Sequence, residues 1–329
     1  MATALEIAKL VQGDLYGDKD LIINGAYDLI PGKELHVSFL NNGLSPELLS
    51  TTLSDLIIAS DKEISKDIDK TIIVVENPKF SFFKIVKELF NLDINNVQPG
   101  ICSTAKISNK AVLDEDVSIG PNVIVEENST IQSGVTIGPN SFIGKNTIIG
   151  EGSIIHPNVT IYNNIEIGKN VIINSGSVLG ANGFGILSNN KNLIQVPHIG
   201  TVIIEDNVVL GAGCTVDRAT MTSTKIGSGT KIDGQVHIAH NVKIGKNCII
   251  AGQSAIGGSS QLGDNVILGG QVGVIDNLVI GDNCKVAAKS AVMKSLEKNI
   301  IVSGIPAMEH RKKKRLDVLI SRLPELFKK

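Results

Sequence analysis

One stretch of the chain carries the side chains best suited to proton transfer, Ile232-Asp-Gly-Gln-Val-His-Ile-Ala-His240-Asn241. His240 lies two positions after Ile238, an aliphatic residue that we expect to point inward, so the imidazole is expected to project outward. A neutral imidazole there can accept a proton from an amine or a hydroxyl group as that group attacks an acyl carbon. Asp233, one coil face upstream, is the candidate to orient the ring. Spacing alone leaves open that His240 is an ordinary surface histidine.

The other five histidines are weaker candidates. His198 precedes the second half of a repeat described below and is placed to line a cleft. His237 is expected at a corner, without a chemical role. His36 and His310 lie outside the repeat, and His156 replaces a corner glycine.

The four cysteines indicate packing rather than metal binding. Cys214, Cys248 and Cys284 each follow an aliphatic residue of the repeat by four positions, at a slot for small side chains. A buried cysteine behaves as a small hydrophobic residue. The sequence has no Cys-x-x-Cys and no His/Cys cluster of the kind that holds zinc, so we expect no metal. Free cysteines also agree with a reducing compartment.

The elements that must position these side chains show as an aliphatic residue at almost every sixth position from about Ile101 to Val292. A period of six fits neither an amphipathic helix nor an alternating strand. It is typical of a parallel β-helix, in which three hexads form a triangular coil of about 18 residues. Each coil buries its aliphatic residues against its neighbours. The sequence therefore predicts a mainly β fold built on a left-handed parallel β-helix.

The repeat is interrupted twice. Leu179 and Ile204 are 25 residues apart, one more than four hexads, and a polar, glycine-rich segment lies between them. Four extra residues stand between Val216 and Ile226. Because binding residues often sit on loops of a rigid scaffold, both insertions are expected near a site.

Three regions follow from this pattern. Residues 1–98 lack the hexad, and we expect them to form an α/β domain. We expect residues 99–304 to form the β-helix. Residues 305–329 are expected to form a C-terminal helical tail with a break near Pro324. The chain contains no run of about 18 apolar residues, so we predict no transmembrane segment. The N-terminus lacks the pattern of a signal peptide. We therefore expect a cytoplasmic protein.

Composition and charge narrow the function further. The chain is 42% hydrophobic and 19% charged, as in ordinary soluble proteins, and only 3% aromatic with no Trp. A narrow β-helix interior accepts aliphatic side chains better than rings. Residues 308–329 carry eight basic and three acidic side chains, a net charge of +5. Such a patch suits an acidic partner. No pattern of basic and aromatic residues points to nucleic acid.

Four motifs together resemble the UDP-3-O-acylglucosamine N-acyltransferases of lipid A biosynthesis. They are Gly180-Ala-Asn-Gly-Phe-Gly, Val196-Pro-His-Ile-Gly-Thr-Val-Ile-Ile, Asp217-Arg-Ala-Thr-Met and Ile238-Ala-His-Asn-Val. The resemblance covers essentially the whole chain, including the Gly304-Ile-Pro exit from the β-helix and the C-terminal helix. Each motif alone is weak, and the combination is specific.

The resemblance implies a function. A 3-hydroxyacyl chain, carried on the phosphopantetheine of acyl carrier protein, is transferred to the glucosamine 2-amine of a UDP-sugar, with no tightly bound cofactor. It implies a homotrimer with sites between neighbouring prisms. It also implies His240 as the general base with Asp233 near it, and substrate contacts from Phe184 and Gly185. In the N-terminal domain it implies that Phe39 and Asn42 hold the uracil ring.

The chain departs from the family pattern at three places. The uracil motif Phe-x-x-Asn-Pro-Lys-Tyr reads here Phe39-Leu-Asn-Asn42-Gly-Leu-Ser45, so Pro, Lys and Tyr are missing. The glycine-rich loop has Asn182 where the family has Asp. A second family histidine is replaced by Asn277, which we expect to contact substrate and which can form hydrogen bonds without carrying a positive charge.

Several alternatives stay open at this point. Phe39 can instead be a core residue of a strand. The chain can be a divergent paralogue that uses another UDP-sugar, or an acetyl-CoA-dependent N-acetyltransferase acting on a UDP-amino sugar. A non-enzymatic β-helix scaffold is the third alternative. Acyl length depends on a groove whose depth the sequence does not reveal.

Overall fold

The structure is a computed structural model that describes residues 1–40, 49–61, 69–90, 98–189 and 192–326. Contacts divide the chain into two compact units, Met1–Asn96 and Val97–Lys329. In the described residues, no helix combines the length and the apolar character that crossing a lipid bilayer requires.

The N-terminal unit is an α/β domain with a five-stranded sheet in the order β2-β7-β6-β5-β4, in which only β2 is antiparallel. Its elements are β1 (Ala2–Thr3), α1 (Ala4–Val11), β2 (Asp14–Tyr16), β3 (Ile22–Ile23), β4 (Gly25–Ala26), β5 (His36–Phe39), β6 (Leu56–Ala59), β7 (Thr71–Val74) and α2 (Pro78–Leu89). Helix α1 begins with a capping box in which Thr3 and Glu6 satisfy each other's backbone N–H groups. The apolar face of α1 and residues of α2 pack against the sheet.

The second unit is the predicted left-handed parallel β-helix, whose three sheets form the faces of a prism. Sheet I contains β8 (Gly100–Ile101), β11 (Ser118–Ile119), β14 (Thr136–Ile137), β17 (Ile154–Ile155), β20 (Ile172–Ile173), β25 (Val209–Leu210), β28 (Lys231–Ile232), β31 (Ile249–Ile250), β34 (Ile267–Leu268), β37 (Lys285–Val286) and β39 (Ile301–Ser303), and the antiparallel β40 (Met308–Glu309) closes it. Sheet II contains β9 (Lys106–Ile107), β12 (Ile124–Val125), β15 (Phe142–Ile143), β18 (Thr160–Ile161), β21 (Val178–Ala181), β26 (Thr215–Asp217), β29 (His237–Ile238), β32 (Ala255–Ile256), β35 (Gly273–Val274) and β38 (Ala291–Val292). Sheet III contains β10 (Val112–Leu113), β13 (Thr130–Ile131), β16 (Ile148–Ile149), β19 (Glu166–Ile167), β24 (Thr201–Ile204), β27 (Ser223–Ile226), β30 (Lys243–Ile244), β33 (Gln261–Leu262) and β36 (Val279–Ile280).

The hexad aliphatics fill the prism as the sequence predicts. The last residue of nearly every two-residue strand points inward, and from Ile119 to Val292 these side chains are almost completely buried. Cys214, Cys248 and Cys284 are buried in the same core. Burial raises the pKa of the Cys214 and Cys248 thiols, which suits cysteines that pack rather than react.

The corners use two kinds of residue. At many of them an Asn adopts a left-handed conformation, and its amide bonds to the Asn one coil away, as from Asn128 to Asn146 (3.2 Å) and from Asn146 to Asn164 (2.9 Å). The glycines that follow the aliphatic residue of a hexad instead allow the backbones of neighbouring coils to approach closely. A Cβ at Gly227 would stand 2.5 Å from the carbonyl carbon of Gly245.

The register between coils measures both insertions. Most paired strands are 18 residues apart, but Glu166 pairs with Ile203 and Thr215 pairs with His237. The first pair is 37 residues apart and the second 22, so 19 and 4 residues leave the regular coil. The first insertion contains an exposed hairpin, β22 (Ile186–Ser188) and β23 (Leu193–Gln195).

The chain leaves the prism through the C-terminal helix α3 (His310–Leu326). The expected break near Pro324 is wrong, because α3 continues through Pro324 to Leu326. The missing N–H of a proline costs less near a helix end, where few further turns depend on it. Leu319, Ile320 and Leu323 are exposed on α3.

Candidate active site

A groove of about 470 Å³ runs along the outside of sheet II beside His240. Its floor consists mainly of small side chains from successive coils. It is lined by Phe184, His237, Ala239, His240, Ala255, Ile256, Gly257, Gly258, Ser259, Gly273, Val274, Ile275, Asp276, Asn277 and Ala291. The outward residues His237, Ala255, Gly273 and Ala291 stack in register, one per coil. The groove is thus a narrow, largely apolar track that begins at the histidines.

His240 stands at the corner that follows β29, and Asn241 fixes its tautomer. The Nδ1 of His240 lies 3.0 Å from Oδ1 of Asn241. That same Oδ1 accepts hydrogen bonds from the N–H of Thr220 (3.1 Å) and from its hydroxyl (3.0 Å), which identifies the atom as the amide oxygen. Because an amide oxygen only accepts, Nδ1 of His240 must carry the proton.

The other ring nitrogen of His240 faces the groove. A Cβ at Gly258 would stand 2.7 Å from His240 Nε2, so the glycine leaves room beside that nitrogen. In the neutral ring with Nδ1 protonated, Nε2 holds a lone pair. The geometry therefore presents a proton acceptor to whatever occupies the groove.

Within one chain the Asp233 carboxylate bonds to backbone N–H groups and not to the His240 ring, and its catalytic role stays a prediction. Asp233 follows β28 at the preceding corner of the coil. One carboxylate oxygen accepts from the N–H of Gly234 (2.8 Å), and the other accepts from the N–H of Gly252 (3.0 Å). Asp233 lines a different surface with Gln235 and Gln253. Seven residues carry the chain along a whole face of the prism, which separates the two side chains.

Among the described residues, Asp217 is the carboxylate that faces the histidines, and its motif indicated no chemical role for it. It is buried, and burial raises its pKa, while the nearby imidazoles of His237, His240 and His198 act in the opposite direction. The sequence could have indicated this neighbour. Asp217 lies one coil before Ala239 when the four inserted residues are counted. The same count from Asn241 reaches Ala219, next to Thr220.

The expectation that His237 lies at a corner is wrong. It lies on β29, points outward and lines the groove. Its Nδ1 is 2.7 Å from the hydroxyl of Thr215, and its Nε2 is 3.8 Å from a carboxylate oxygen of Asp217. Within the described part of the chain, no three His, Cys, Asp or Glu side chains are arranged to hold a metal ion.

The glycine-rich loop presses on two imidazoles. A Cβ at Gly183 would stand 2.7 Å from His240 Cβ and 2.8 Å from His198 Nε2. Arg218 connects the start of the loop to the β-helix. Its Nε donates to the carbonyl of Gly180 (2.6 Å), and its Nη2 donates to the carbonyl of Asn163 (2.9 Å). Arg218 thus bonds to the first residue of the loop that packs against the histidines.

The structure brings most of the other predicted β-helix residues to this place. Phe184 is highly exposed at the groove, and Asn277 lines it from the corner one coil beyond Ser259. The amide of Asn277 donates to Asp276 (2.9 Å). Gly185 packs against His198 and Val196, where its lack of a side chain admits the His198 ring. Their contacts with substrate stay predictions.

The two residues predicted to hold uracil belong to the N-terminal unit. Phe39 ends β5, and its ring lies 4.9 Å from the ring of Phe82 and 6.2 Å from that of Phe83. Phe39 therefore packs on α2 as part of the domain core, and its stacking on a base stays a prediction. Asn42 lies outside the described residues.

The loop contact generates a first test. In Gly183→Ala the added methyl group meets the two rings, and overpacking costs about 1–3 kcal/mol. Local opening of residues 182–186 should then become roughly 5- to 150-fold more frequent, measured as faster amide hydrogen exchange. Gly273→Ala is the matched control, because a Cβ there meets nothing within 4 Å. Equal exchange in both variants would show that the loop does not rest on the histidines.

Comparisons with known proteins agree with this architecture. The "Bacterial transferase hexapeptide (six repeats)" family model matches residues 116–148, 146–181 and 223–258, and the "Hexapeptide repeat of succinyl-transferase" model matches residues 201–238 and 261–292. A solved UDP-N-acetylglucosamine acyltransferase from Arabidopsis superposes with a TM-score of 0.59 at 24% identity, covering 66% of this chain and 77% of that one. At this identity the likeness concerns the fold.

Curated relatives extend the agreement to nearly the whole chain. The UDP-3-O-acylglucosamine N-acyltransferase of Methylacidiphilum infernorum is 44% identical over 324 residues, 98% of this chain and 92% of the relative. The enzyme of the same name from Prochlorococcus marinus is 45% identical over 318 residues, 94% of this chain and 91% of the relative. Matches this strong over this length show that the chain is an acyltransferase and belongs to the UDP-3-O-acylglucosamine N-acyltransferase family.

Proposed function

We propose that this enzyme transfers a 3-hydroxyacyl chain from acyl carrier protein to the 2-amine of a UDP-3-O-acylglucosamine, a step of lipid A biosynthesis. The observation that carries the proposal is the position of His240 Nε2 at the head of an apolar track, with Nδ1 bonded to Asn241. An acyl chain fits the track, and a proton acceptor stands where its carbonyl end would lie. The names of the curated relatives support the acceptor sugar.

The proposed reaction needs a single proton carrier. The ammonium group of the free amino sugar first loses a proton to solvent. The neutral amine then attacks the thioester carbon, a C–N bond forms, and the nitrogen gives a proton to His240 Nε2. When the C–S bond breaks, His240 returns that proton to the sulfur, which leaves as the phosphopantetheine thiol. Asn241 keeps Nδ1 protonated and the ring in place throughout.

The dimensions of the track favour a long acyl chain. Three coil steps separate His237 from Ala291, and strands in a sheet lie about 4.7–4.9 Å apart, so the track extends over roughly 14 Å. An acetyl group would fill only its start. This length favours a long-chain donor over the alternative of acetyl-CoA. The homotrimer and the cytoplasmic location stay predictions.

Removal of the base tests the proposal directly. His240→Ala should reduce N-acyl transfer by about 10²–10⁴-fold, because a positioned general base typically contributes that much. The melting temperature should stay nearly unchanged, since the ring lies outside the packed prism. The control is His156→Ala, at a corner several coils away, which should transfer at the wild-type rate. A His240→Ala variant with more than about a tenth of wild-type turnover would refute the assignment.

The track itself can be tested at Gly273. This glycine has open space above it, and its backbone is not left-handed, so the fold does not require glycine there. Gly273→Met should block the track and lower kcat/KM for a long-chain donor at least about tenfold, the lower range for a mismatch in an apolar pocket. Transfer from a donor too short to reach Gly273 serves as the internal control. If both donors respond equally, the chain lies elsewhere.

The donor protein offers a third test. Arg311, Lys312, Lys314 and Arg315 on the first turns of α3 are exposed, whereas Lys313 packs against Gly304 and pairs with Asp317. An acidic acyl carrier protein should associate with such a patch at a rate that falls with salt. Reversing Lys312 and Lys314 to Glu should raise the KM for the carrier about tenfold at low salt, roughly 0.7 kcal/mol per reversed residue.

A donor without the carrier protein provides the control for this charge reversal. The same variant should transfer from a small phosphopantetheine thioester at the wild-type rate, because the patch is assigned to the protein part of the donor. An unchanged KM for the carrier at low salt would leave α3 without this role.

A further inference from the structure

His198 is a buried imidazole that the mechanism above does not use. It is only 5% exposed, and its Nδ1 lies 2.9 Å from the carbonyl oxygen of Val196. A carbonyl only accepts, so Nδ1 carries a proton. Its Nε2 is shielded from solvent and has no hydrogen-bond partner among the residues that the structure describes. Buried polar atoms are nearly always paired, so this exception calls for an explanation.

The unpartnered nitrogen points toward the base. The rings of His198 and His240 lie 5.1 Å apart at 64°, in an edge-to-face arrangement. His198 Nε2 and His240 Cδ2 each lie 2.8 Å from the point where a Gly183 Cβ would stand, so both border the same space beneath the loop. The shielded nitrogen and the edge of the His240 ring therefore face each other across Gly183.

The tautomer of His198 determines the direction of the ring dipole relative to His240. With Nδ1 protonated and Nε2 bare, the dipole of the neutral ring has its positive end at Val196 and its negative end toward His240. A second proton on Nε2 would create a buried N–H with no acceptor, which is costly. The hydrogen bond from Nδ1 to Val196 thus fixes the orientation of the ring and of its negative end. Gly183 and Gly185 both lie close to the His198 ring.

We infer that His198 is a positioning residue whose fixed dipole stabilises the positive charge that His240 acquires when it takes the proton of the amine. A dipole that is already oriented before the charge develops needs no reorganisation during the reaction. The inference rests on the proposed function, because it assigns His240 as the base. Asp217 and His237 border the same cluster, where burial raises the pKa of the Asp217 carboxyl and the three imidazoles lower it.

Two substitutions separate the dipole from the shape of the ring. His198→Phe keeps an aromatic ring without a lone pair, and His198→Gln offers a side-chain oxygen as a negative end. In the Phe variant kcat should fall about tenfold, less than the roughly 10²–10³-fold for loss of a direct donor to a developing charge. The KM values for donor and acceptor should stay the same, since His198 is sealed from both. The Gln variant should recover most of kcat.

The outcomes are distinguishable. Full kcat in the folded Phe variant, or equally low kcat in folded Phe and Gln variants, would overturn the inference; if the Phe variant does not fold, His198→Leu takes its place in the comparison. A wild-type protein without N-acyl transfer, or an active His240→Ala, would instead refute the proposed function. Nitrogen-15 NMR of the histidines tests the tautomer whatever the reaction. A proton found on His198 Nε2 and none on Nδ1 would overturn the inference.

Discussion

Every feature of the site depends on the hydrogen-bonded register between successive coils. Because strands of sheet II pair one coil apart, a single outward position recurs as His237, Ala255, Gly273 and Ala291, and the change from a ring to small side chains creates the track. The buried aliphatics hold that register, since a slip by one residue would expose the whole inward set. The rigid prism thus positions groups that a flexible loop could not hold as accurately.

The two insertions place polar partners on this apolar scaffold. The inserted residues near Thr220 bring an N–H and a hydroxyl to the Asn241 amide, which in turn determines which nitrogen of His240 is protonated. The longer insertion lays Gly183 over His240 and His198 and carries Phe184 to the groove. Arg218 connects the two, because it lies beside one insertion and binds the carbonyl at the start of the other. Base, loop and groove therefore form one assembly.

The sequence predicted the prism, both insertions and the position of His240, because a period of six leaves few other folds and directs the residue two after an inward Ile to the outside. It did not predict the partners. Sequence proximity suggested Asp233, but within one chain of a β-helix spatial neighbours are one coil apart, and an insertion shifts that interval from 18 to 22 residues. The burial of His198 could not be read either, since it depends on the fold of a loop without a repeat.

The central claim is that the amine of the sugar forms an amide with a long acyl chain while His240, at the head of this track, accepts the proton. The most direct measurement is mass spectrometry of the product made by the purified protein from a 3-hydroxyacyl carrier protein and UDP-3-O-acylglucosamine, before and after mild alkali. The account predicts that one long chain resists alkali as an amide on the sugar nitrogen, whereas the original ester chain is released. A product in which alkali removes both chains, or one that forms only with acetyl-CoA, would contradict it.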